Sequence, residues 1–263
     1  SVEEDLANKA LIINGQIVKM IEAKNPEDID YTSYGINDAL VIDNTGVFTN
    51  KEQLGRHLKA NGVSKVLLTA PGKEIPNVVY GINEGELDIE NDDIFSAASC
   101  TTNAISPILH TIENKLGVIK GHIETVHAYT NDQNLLDNMH KKPRRGRSAA
   151  INMVITSTGG SLAILNLNVS KETNVEDLNE IIRKAALEGS LVNQIKYEND
   201  PELVSNDIIG NICCSVYDSN ATIVSNDKKN IVLYVWYDNE FGYTKQVIRL
   251  AKYIAKVRRL IYY

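Results

Sequence analysis

The sequence predicts an α/β protein, with a parallel sheet in its first part and an α+β arrangement with a mostly antiparallel sheet in its second. Residues 39–43 and 66–70 are near-continuous apolar runs that end in turn residues, which is typical of buried parallel strands. Residues 163–169 alternate apolar with other side chains, and 222–237 has the pattern of a hairpin. Because the pattern changes near Cys100, we expect the boundary between the two parts there.

Shorter signals place the other elements of the first part. Asn14-Gly15 is a two-residue turn signal between apolar runs, and it predicts a hairpin over 10–21. A helix is expected over 51–61, between the two buried strands. Short strands are expected over 78–81 and 94–96, where β-branched and aromatic residues cluster.

The second part is expected to contain three helices. Apolar spacing predicts a helix from 104 to 115, one over 175–187 with Asn174 as its N-cap, and a closing amphipathic helix over 241–256. The run 123–128, between the first two helices, is strand-like. This mixture of helices and antiparallel strands defines the α+β part.

Composition and charge argue against several classes of function. The 263-residue chain has a net charge of -7, which disfavours nucleic-acid binding as the main task. No apolar run approaches the roughly 18 residues of a membrane span, and the acidic start at Ser1–Asp5 does not resemble a signal peptide. Three cysteines without paired spacing favour a reducing, cytoplasmic setting. Cys213 and Cys214 lie among apolar residues, so we expect them to be small core residues.

Cys100 is the strongest candidate for a chemically active residue. It lies where a strand-like run gives way to a helical one, and Thr101, Thr102 and Asn103 are residues that open helices well. The unpaired N–H groups and the dipole at the start of a helix favour negative charge. We therefore expect the Cys100 thiol to ionise more easily than a free thiol and to act as a nucleophile.

Thiol chemistry also needs a base, and His127 is the histidine best placed to supply one. It follows a strand and precedes polar residues, where a side chain can face a cleft; a structural or surface role is the alternative for a lone histidine. The other four histidines lack such a setting. No Cys/His cluster has the spacing of metal ligands, so the sequence predicts no metal site.

A cationic run, Lys141–Arg147, places five basic residues among seven. It is either a solvated charged loop or a phosphate site, because arginine forks suit phosphate oxygens. The run from Ser157 to Gly160 adds hydroxyls and flexible backbone N–H groups. Together the two runs predict sites for a small phosphorylated substrate.

Six motifs follow one another along essentially the whole chain. The two most specific are Ser99–Asn103 and Trp236–Tyr243; the others are Asn44–Phe48, Thr69–Lys73, His127–Thr130 and Ser157–Gly159. In this order they resemble the family of phosphorylating glyceraldehyde-3-phosphate dehydrogenases. The run Asn131–Asn134 and the ending Arg258–Tyr263 look like a longer bacterial branch of that family.

The resemblance implies an enzyme that converts glyceraldehyde 3-phosphate, inorganic phosphate and NAD to 1,3-bisphosphoglycerate and NADH. Cys100 would attack the aldehyde carbon, while His127 takes the proton and stabilises the oxyanion. Inorganic phosphate would then cleave a thioester on Cys100. The residues implied to bind phosphate groups are Ser99, Thr101, Thr158 and Gly159 for the attacking phosphate, and Thr130 and Arg147 for the substrate phosphate.

The resemblance also implies a cofactor, NAD, with NADP left open. Asn239 corresponds to the residue that binds the nicotinamide carboxamide, and Tyr243 lies near it. Thr45, Gly46 and Phe48 correspond to the adenosine-side wall, and Thr69 and Ala70 also correspond to cofactor contacts.

Domains follow from the same resemblance. It implies an incomplete Rossmann-type NAD-binding domain over 1–99, a catalytic domain over 100–240, and a C-terminal helix over 241–263 that returns to the NAD-binding domain. It further implies a cytoplasmic homotetramer.

Two parts of the family pattern are absent from this sequence. No opening strand with a Gly-x-Gly-x-x-Gly turn, which holds the cofactor pyrophosphate at a helix start, precedes Ser1. Gly159 and Gly160 are adjacent, whereas the family carries a helix and a long loop, with a substrate-phosphate arginine, between these points. We therefore expect either one part of a longer chain or a genuine truncation.

Three functions stay open on the sequence. The first is the dehydrogenase described above. The second is erythrose-4-phosphate dehydrogenase, which uses a similar site without forming an acyl phosphate. The third is a truncated binding or regulatory protein without catalysis, because a chain that lacks the pyrophosphate turn should bind NAD poorly.

Overall fold

The computed structural model describes residues 1–129, 133–154 and 162–257, which form two compact units. The first unit comprises Ser1–Pro76 and Asp88–Ser96; the second comprises Asn77–Leu87 and the described residues of Ala97–Tyr263. The strands are β1 (Val2–Asp5), β2 (Ala10–Ile13), β3 (Gln16–Lys19), β4 (Ala39–Asp43), β5 (Val63–Leu68), β6 (Ile94–Ser96), β7 (Val118–Val126), β8 (Leu162–Val169), β9 (Ile195–Glu198), β10 (Ser215–Asp218), β11 (Ile223–Val224) and β12 (Asn230–Trp236). The α-helices are α1 (Lys51–Leu54), α2 (Cys100–Leu116), α3 (Val175–Leu187) and α4 (Phe241–Ile254).

A parallel sheet, β4-β5-β6, forms the centre of the first unit and confirms the predicted class. β6 and the second half of β5 are buried, and Val66 and Leu68 form a core with Leu54 of α1. The expectation that 39–43 is a buried strand is wrong, because most of β4 is only partly buried and Ile42 is 37% exposed. The predicted helix over 51–61 is only partly correct. It stops at Leu54 and is followed by a separate 3₁₀ turn at His57–Lys59.

An antiparallel sheet, β1-β2-β3, completes the first unit. The predicted hairpin is confirmed, since Ile13 pairs with Gln16 across the turn. Asn14 and Gly15 both have positive φ, 49° and 81°, as a two-residue hairpin turn requires.

The second unit is built on a six-stranded sheet with the order β7-β8-β12-β10-β9, and β11 pairs with β12. All pairs are antiparallel except β9 with β10, so the mostly antiparallel sheet is confirmed. The alternation of apolar residues in β8 marks a half-buried strand, as predicted. Ala163, Leu165, Leu167 and Val169 are all buried in one core with residues of α2 and α3.

Local signals in the second unit are also confirmed. α3 covers the predicted residues, and the Asn174 side chain accepts a hydrogen bond from the Asp177 N–H at 2.8 Å. Cys214 is buried as expected, whereas Cys213 is only half-buried.

Within the described residues, no helix is both long and apolar enough to cross a membrane.

One predicted strand, over 78–81, is wrong. Val78 and Val79 are buried, but they lie in a turn in which the Val79 carbonyl accepts hydrogen bonds from Ile82 and Asn83. Gly81 has φ 94°, which suits a turn. Burial without strand pairing gives the same apolar pattern as a short strand.

Candidate active site

Cys100 is the first residue of α2, and Ser99 is the N-cap. The Ser99 hydroxyl accepts a hydrogen bond from the Thr102 N–H at 3.0 Å and also lies 2.7 Å from the Thr102 hydroxyl. The helix therefore begins at Cys100, earlier than the sequence predicted. Thr101, Thr102 and Asn103, which were expected to open the helix, already lie in its first turn. This start places the Cys100 thiol among N–H groups that have no partner within the helix.

The expectation that Cys100 ionises easily is wrong for this arrangement. Burial raises the pKa of the thiol, and this effect outweighs the hydrogen bonds from the backbone and side chain of Thr101, which lower the pKa. A half-buried thiolate loses more hydration than these few donors replace. The thiol therefore keeps its proton at neutral pH until a base removes it.

Two tyrosines from the Trp236–Tyr243 run reach the start of α2. The Tyr237 hydroxyl lies 2.8 Å from the Thr101 hydroxyl, and the Tyr243 hydroxyl donates to the Ala98 carbonyl at 2.8 Å. Burial and the negative charge of a Cys100 thiolate both raise the pKa of Tyr243.

The same run forms a fixed turn at the start of α4. One oxygen of Asp238 accepts the N–H groups of Glu240 and Phe241, and the other accepts the N–H of Gly210 at 2.7 Å. A Cβ on Gly242 would lie 3.0 Å from the Cys213 carbonyl oxygen, so the close approach of α4 favours glycine.

The half-buried Asn239 amide makes no hydrogen bond to any residue that the structure describes. It is therefore free to bind an amide ligand.

His127 lies directly after β7 and is half-buried. Burial lowers the pKa of its ring, the hydrogen bond between Nδ1 and the Ala128 carbonyl opposes this, and the positive charge of Arg145 lowers the pKa further. The ring is therefore mostly neutral at pH 7. Among the described residues, no hydrogen bond joins the ring to the Cys100 thiol.

The cationic run folds back on the preceding loop and separates its arginines. Arg145 is buried, at 3% exposure, and its charge reaches His127. Arg147 is exposed and pairs with Asp137, with an Nε–Oδ1 distance of 3.2 Å. The sequence favoured Arg147 for the substrate phosphate, and nothing in the local pattern indicates which arginine of this run is buried.

Several predicted site residues lie outside the described residues. These are Thr130, Thr158 and Gly159, together with Ser157 and Gly160. In the part of the chain that the structure describes, no three His, Cys, Asp or Glu side chains are grouped so that they could hold a metal ion.

In the first unit, four of the predicted cofactor-binding residues follow the carboxyl ends of two parallel strands. Thr45 and Gly46 follow β4, and Thr69 and Ala70 follow β5. Ligands of open α/β sheets bind at this edge. The Thr69 N–H and hydroxyl both donate to the carbonyl of Asp43, at 3.0 and 3.1 Å, and thereby tie the two strand ends together.

Asp43 organises this edge, and sequence reasoning missed it. Its buried carboxylate accepts the N–H and hydroxyl of Thr45 at 2.9 and 2.8 Å, and its other oxygen lies 2.8 Å from Nε2 of His57. The His57 ring meets Phe48 edge to face at 5.7 Å, and the Arg56 guanidinium lies 5.5 Å from the Phe48 ring centroid. A carboxylate at a strand end, two residues before a threonine, is a weak signal for such a turn.

Comparison with known proteins identifies the family. Residues 99–167 and 159–239 match the family model for the glyceraldehyde 3-phosphate dehydrogenase C-terminal domain. The glyceraldehyde-3-phosphate dehydrogenase of Thermotoga maritima is 37% identical over 96% of this chain, which covers 82% of it. This chain belongs to the glyceraldehyde-3-phosphate dehydrogenase family. A glyceraldehyde-3-phosphate dehydrogenase-like protein of Pseudomonas aeruginosa is 46% identical over 96% of this chain, which spans only 60% of that relative.

The family match is interrupted inside the chain. Its two matched segments overlap at residues 159–167, so the chain passes from one part of the glyceraldehyde-3-phosphate dehydrogenase pattern to another there. Each of the two alignments above runs over 281 positions, which is longer than the 263-residue chain itself. The relatives therefore carry residues that have no counterpart here. The predicted Gly159–Gly160 junction falls in this interval, outside the described residues.

Proposed function

We propose that this chain carries the site of a phosphorylating, NAD-dependent glyceraldehyde-3-phosphate dehydrogenase, with Cys100 as its nucleophile. The observation that carries the proposal is the position of Cys100 in the first turn of α2, between the hydroxyls of Ser99 and Thr101. N–H groups and hydroxyls at a helix start suit both a thiolate and an attacking phosphate.

His127 is the proposed base. Because burial and Arg145 lower its pKa, the ring is available to take the Cys100 proton as the sulfur attacks the aldehyde carbon. Because Nδ1 donates to the Ala128 carbonyl, Nε2 is the acceptor nitrogen of the neutral ring and the proposed proton acceptor. The protonated ring then stabilises the oxyanion of the thiohemiacetal.

The phosphate groups of the substrates are assigned by the charges present. Ser99 and Thr101 hold the attacking phosphate, together with Thr158 and Gly159. Thr130 and Arg147 contact the substrate phosphate. Arg147 is exposed and pairs with Asp137, whereas Arg145 is buried and its charge lowers the pKa of His127.

Each unit, taken by itself, contains residues that suit one end of NAD, and the sequence contains no turn that suits the pyrophosphate. The free amide of Asn239 offers a donor and an acceptor, as a carboxamide requires. In the first unit, a Cβ added to Gly46 would meet no atom within 4 Å, so the backbone beside Thr45 faces open space. No two glycines of the sequence are two positions apart, so no Gly-x-Gly-x-x-Gly turn is present for the pyrophosphate. When bound, NAD supplies the hydride acceptor that allows the Cys100 adduct to become a thioester.

Steady-state assays of this chain test the proposal. NADH production from glyceraldehyde 3-phosphate should depend on inorganic phosphate, should exceed production from erythrose 4-phosphate, and should vanish in Cys100→Ser. Without phosphate, an acyl group should stay on Cys100, which intact-mass spectrometry detects. Activity that survives in Cys100→Ser would refute the nucleophile, and phosphate-independent oxidation of erythrose 4-phosphate would refute the reaction. Binding of substrate without any acylation would identify a non-catalytic form.

The proposal includes a cytoplasmic homotetramer. Sedimentation equilibrium should then give the mass of four 29.1 kDa chains. A monomer or dimer at micromolar concentration would contradict this part of the proposal and leave the chemistry of Cys100 unaffected.

A further inference from the structure

The backbone that leads into Cys100 has an unusual conformation. Ala98 has φ 55°, in the left-handed region that residues with a side chain seldom adopt. Such a conformation persists only where the surroundings fix it. The loop from Ala97 to Ser99 must therefore be held by contacts outside its own backbone.

Side chains from α2 and α4 bind all three carbonyls of this loop. The Asn103 amide nitrogen donates to the carbonyls of Ala97 and Ser99, at 2.8 and 2.9 Å, and the Tyr243 hydroxyl donates to that of Ala98. Asn103 is 1% exposed, so water cannot replace these bonds. Its amide must keep the nitrogen toward the loop for both bonds to form.

Gln246 on α4 fixes that orientation. Its amide nitrogen donates to Asn103 Oδ1 at 3.3 Å and to the Tyr80 carbonyl at 3.0 Å. A donor on the Asn103 oxygen leaves only the Asn103 nitrogen for the two carbonyls. Gln246 is itself 1% exposed. Its oxygen accepts from Arg249 Nη1 at 2.9 Å and from Gln194 Nε2 at 3.4 Å, which sets the direction of its own amide.

We propose that Gln246 is a positioning residue for Cys100, which acts through Asn103 on the carbonyls of Ala97 and Ser99. The inference rests on the proposed function only in taking Cys100 as the nucleophile. Without Gln246, the Asn103 amide can turn over. The Ala97 carbonyl then loses the Asn103 amide as its donor, the Ser99 carbonyl keeps only the backbone N–H of Asn103, and the left-handed conformation of Ala98 can relax. The sulfur then shifts relative to the first-turn N–H groups of α2.

The test is the pH profile of Cys100 alkylation, which needs neither cofactor nor turnover. The full chain is treated with iodoacetamide from about pH 6 to about pH 10, and the Cys100 peptide is quantified by mass spectrometry. This separates Cys100 from the other two thiols. Two variants are compared, Gln246→Leu and Gln246→Glu. The glutamate keeps the length and the acceptor for Arg249, and when ionised it cannot donate to Asn103.

Both variants should move the alkylation midpoint to higher pH and slow alkylation near pH 8 by about fivefold, the effect of weakening one net hydrogen bond. Thr111→Val is the matched control. Thr111 is a buried polar residue on α2, the helix that begins at Cys100, and its side chain bonds only to the Pro107 carbonyl. It should keep the wild-type profile. A wild-type midpoint and rate in a folded Gln246 variant would overturn the proposal. Should Gln246→Leu fail to fold, Gln246→Glu decides by the same criterion.

The two proposals fail separately. Loss of the dehydrogenase reaction in every assay would leave the alkylation result unaffected, because alkylation reports only the position and ionisation of the sulfur. An unchanged alkylation profile in the Gln246 variants, with phosphate-dependent NADH production intact, would remove the positioning role alone.

Discussion

Replacement of Asp43 by alanine tests the organisation of the first unit most directly. The Asp43 carboxylate is 1% exposed, and it bonds to Thr45 through one oxygen and to His57 through the other. Asp43→Ala removes all three bonds and leaves the backbone of β4 in place. We expect the carboxyl ends of β4 and β5 to open more often as a result.

The magnitude follows from which groups lose their partner. The His57 ring is buried and cannot reach water easily, so most of the cost falls on it. Thr45 is exposed, and its N–H and hydroxyl can turn to solvent. A buried group left without its partner costs about 1 to 3 kcal/mol, and bonds to a charged acceptor lie at the upper end. We therefore expect about 3 kcal/mol, or roughly a hundredfold in the opening equilibrium.

Hydrogen exchange followed by mass spectrometry measures this opening locally. Amides of β4 and β5 should exchange roughly a hundredfold faster in Asp43→Ala. Asp30→Ala is a matched control, because Asp30 makes the same pair of bonds to Thr32 at an exposed position of the same unit. Its exchange should change severalfold at most. Equal effects of the two substitutions would refute the argument that burial of the Asp43–His57 pair holds this edge.

Four further predictions concern the second unit. Ser99→Ala should cost about 1 kcal/mol of unfolding free energy through loss of the N-cap, as measured by urea titration with the fluorescence of the single tryptophan. Leu165→Ala should cost about 3 kcal/mol because Leu165 is fully buried, whereas Leu136→Ala, at a side chain 77% exposed, should be nearly neutral in the same titration. Burial raises the pKa of Cys214 to about 12, so Cys214 should resist iodoacetamide near pH 8. Because burial also raises the pKa of Cys100, its alkylation rate should still increase above pH 9; a plateau below pH 8 would contradict this.

The sequence correctly predicted those helices and strands that are determined by residues close together in the chain. The N-cap of α3 depends on Asn174 and the residue three positions later, and the burial of β8 depends on alternation within eight residues. Each signal therefore lies inside one element. The strand wrongly predicted over 78–81 shows the limit, because a buried turn and a short strand have the same apolar composition.

The site was predicted less completely because its properties depend on distant residues. The pKa of Cys100 is set mainly by burial, which reasoning about one helix start does not include. Arg145 and Arg147 differ only in what the folded loop covers. Gln246 lies 143 positions from Asn103, and no local pattern connects the two.

The two most specific motifs of the chain are one packed structure. Tyr237 bonds to Thr101 and Tyr243 bonds to the Ala98 carbonyl, so the run that begins α4 fixes the turn that begins α2. Gly242 permits this because α4 starts in close contact with the backbone at Cys213. The identity of each tyrosine is therefore constrained by the turn that precedes Cys100 as well as by any cofactor contact. A substitution of Tyr237 or Tyr243 that impairs the protein does not by itself show a lost cofactor contact, because it also removes a bond to the start of α2 or to the loop before it.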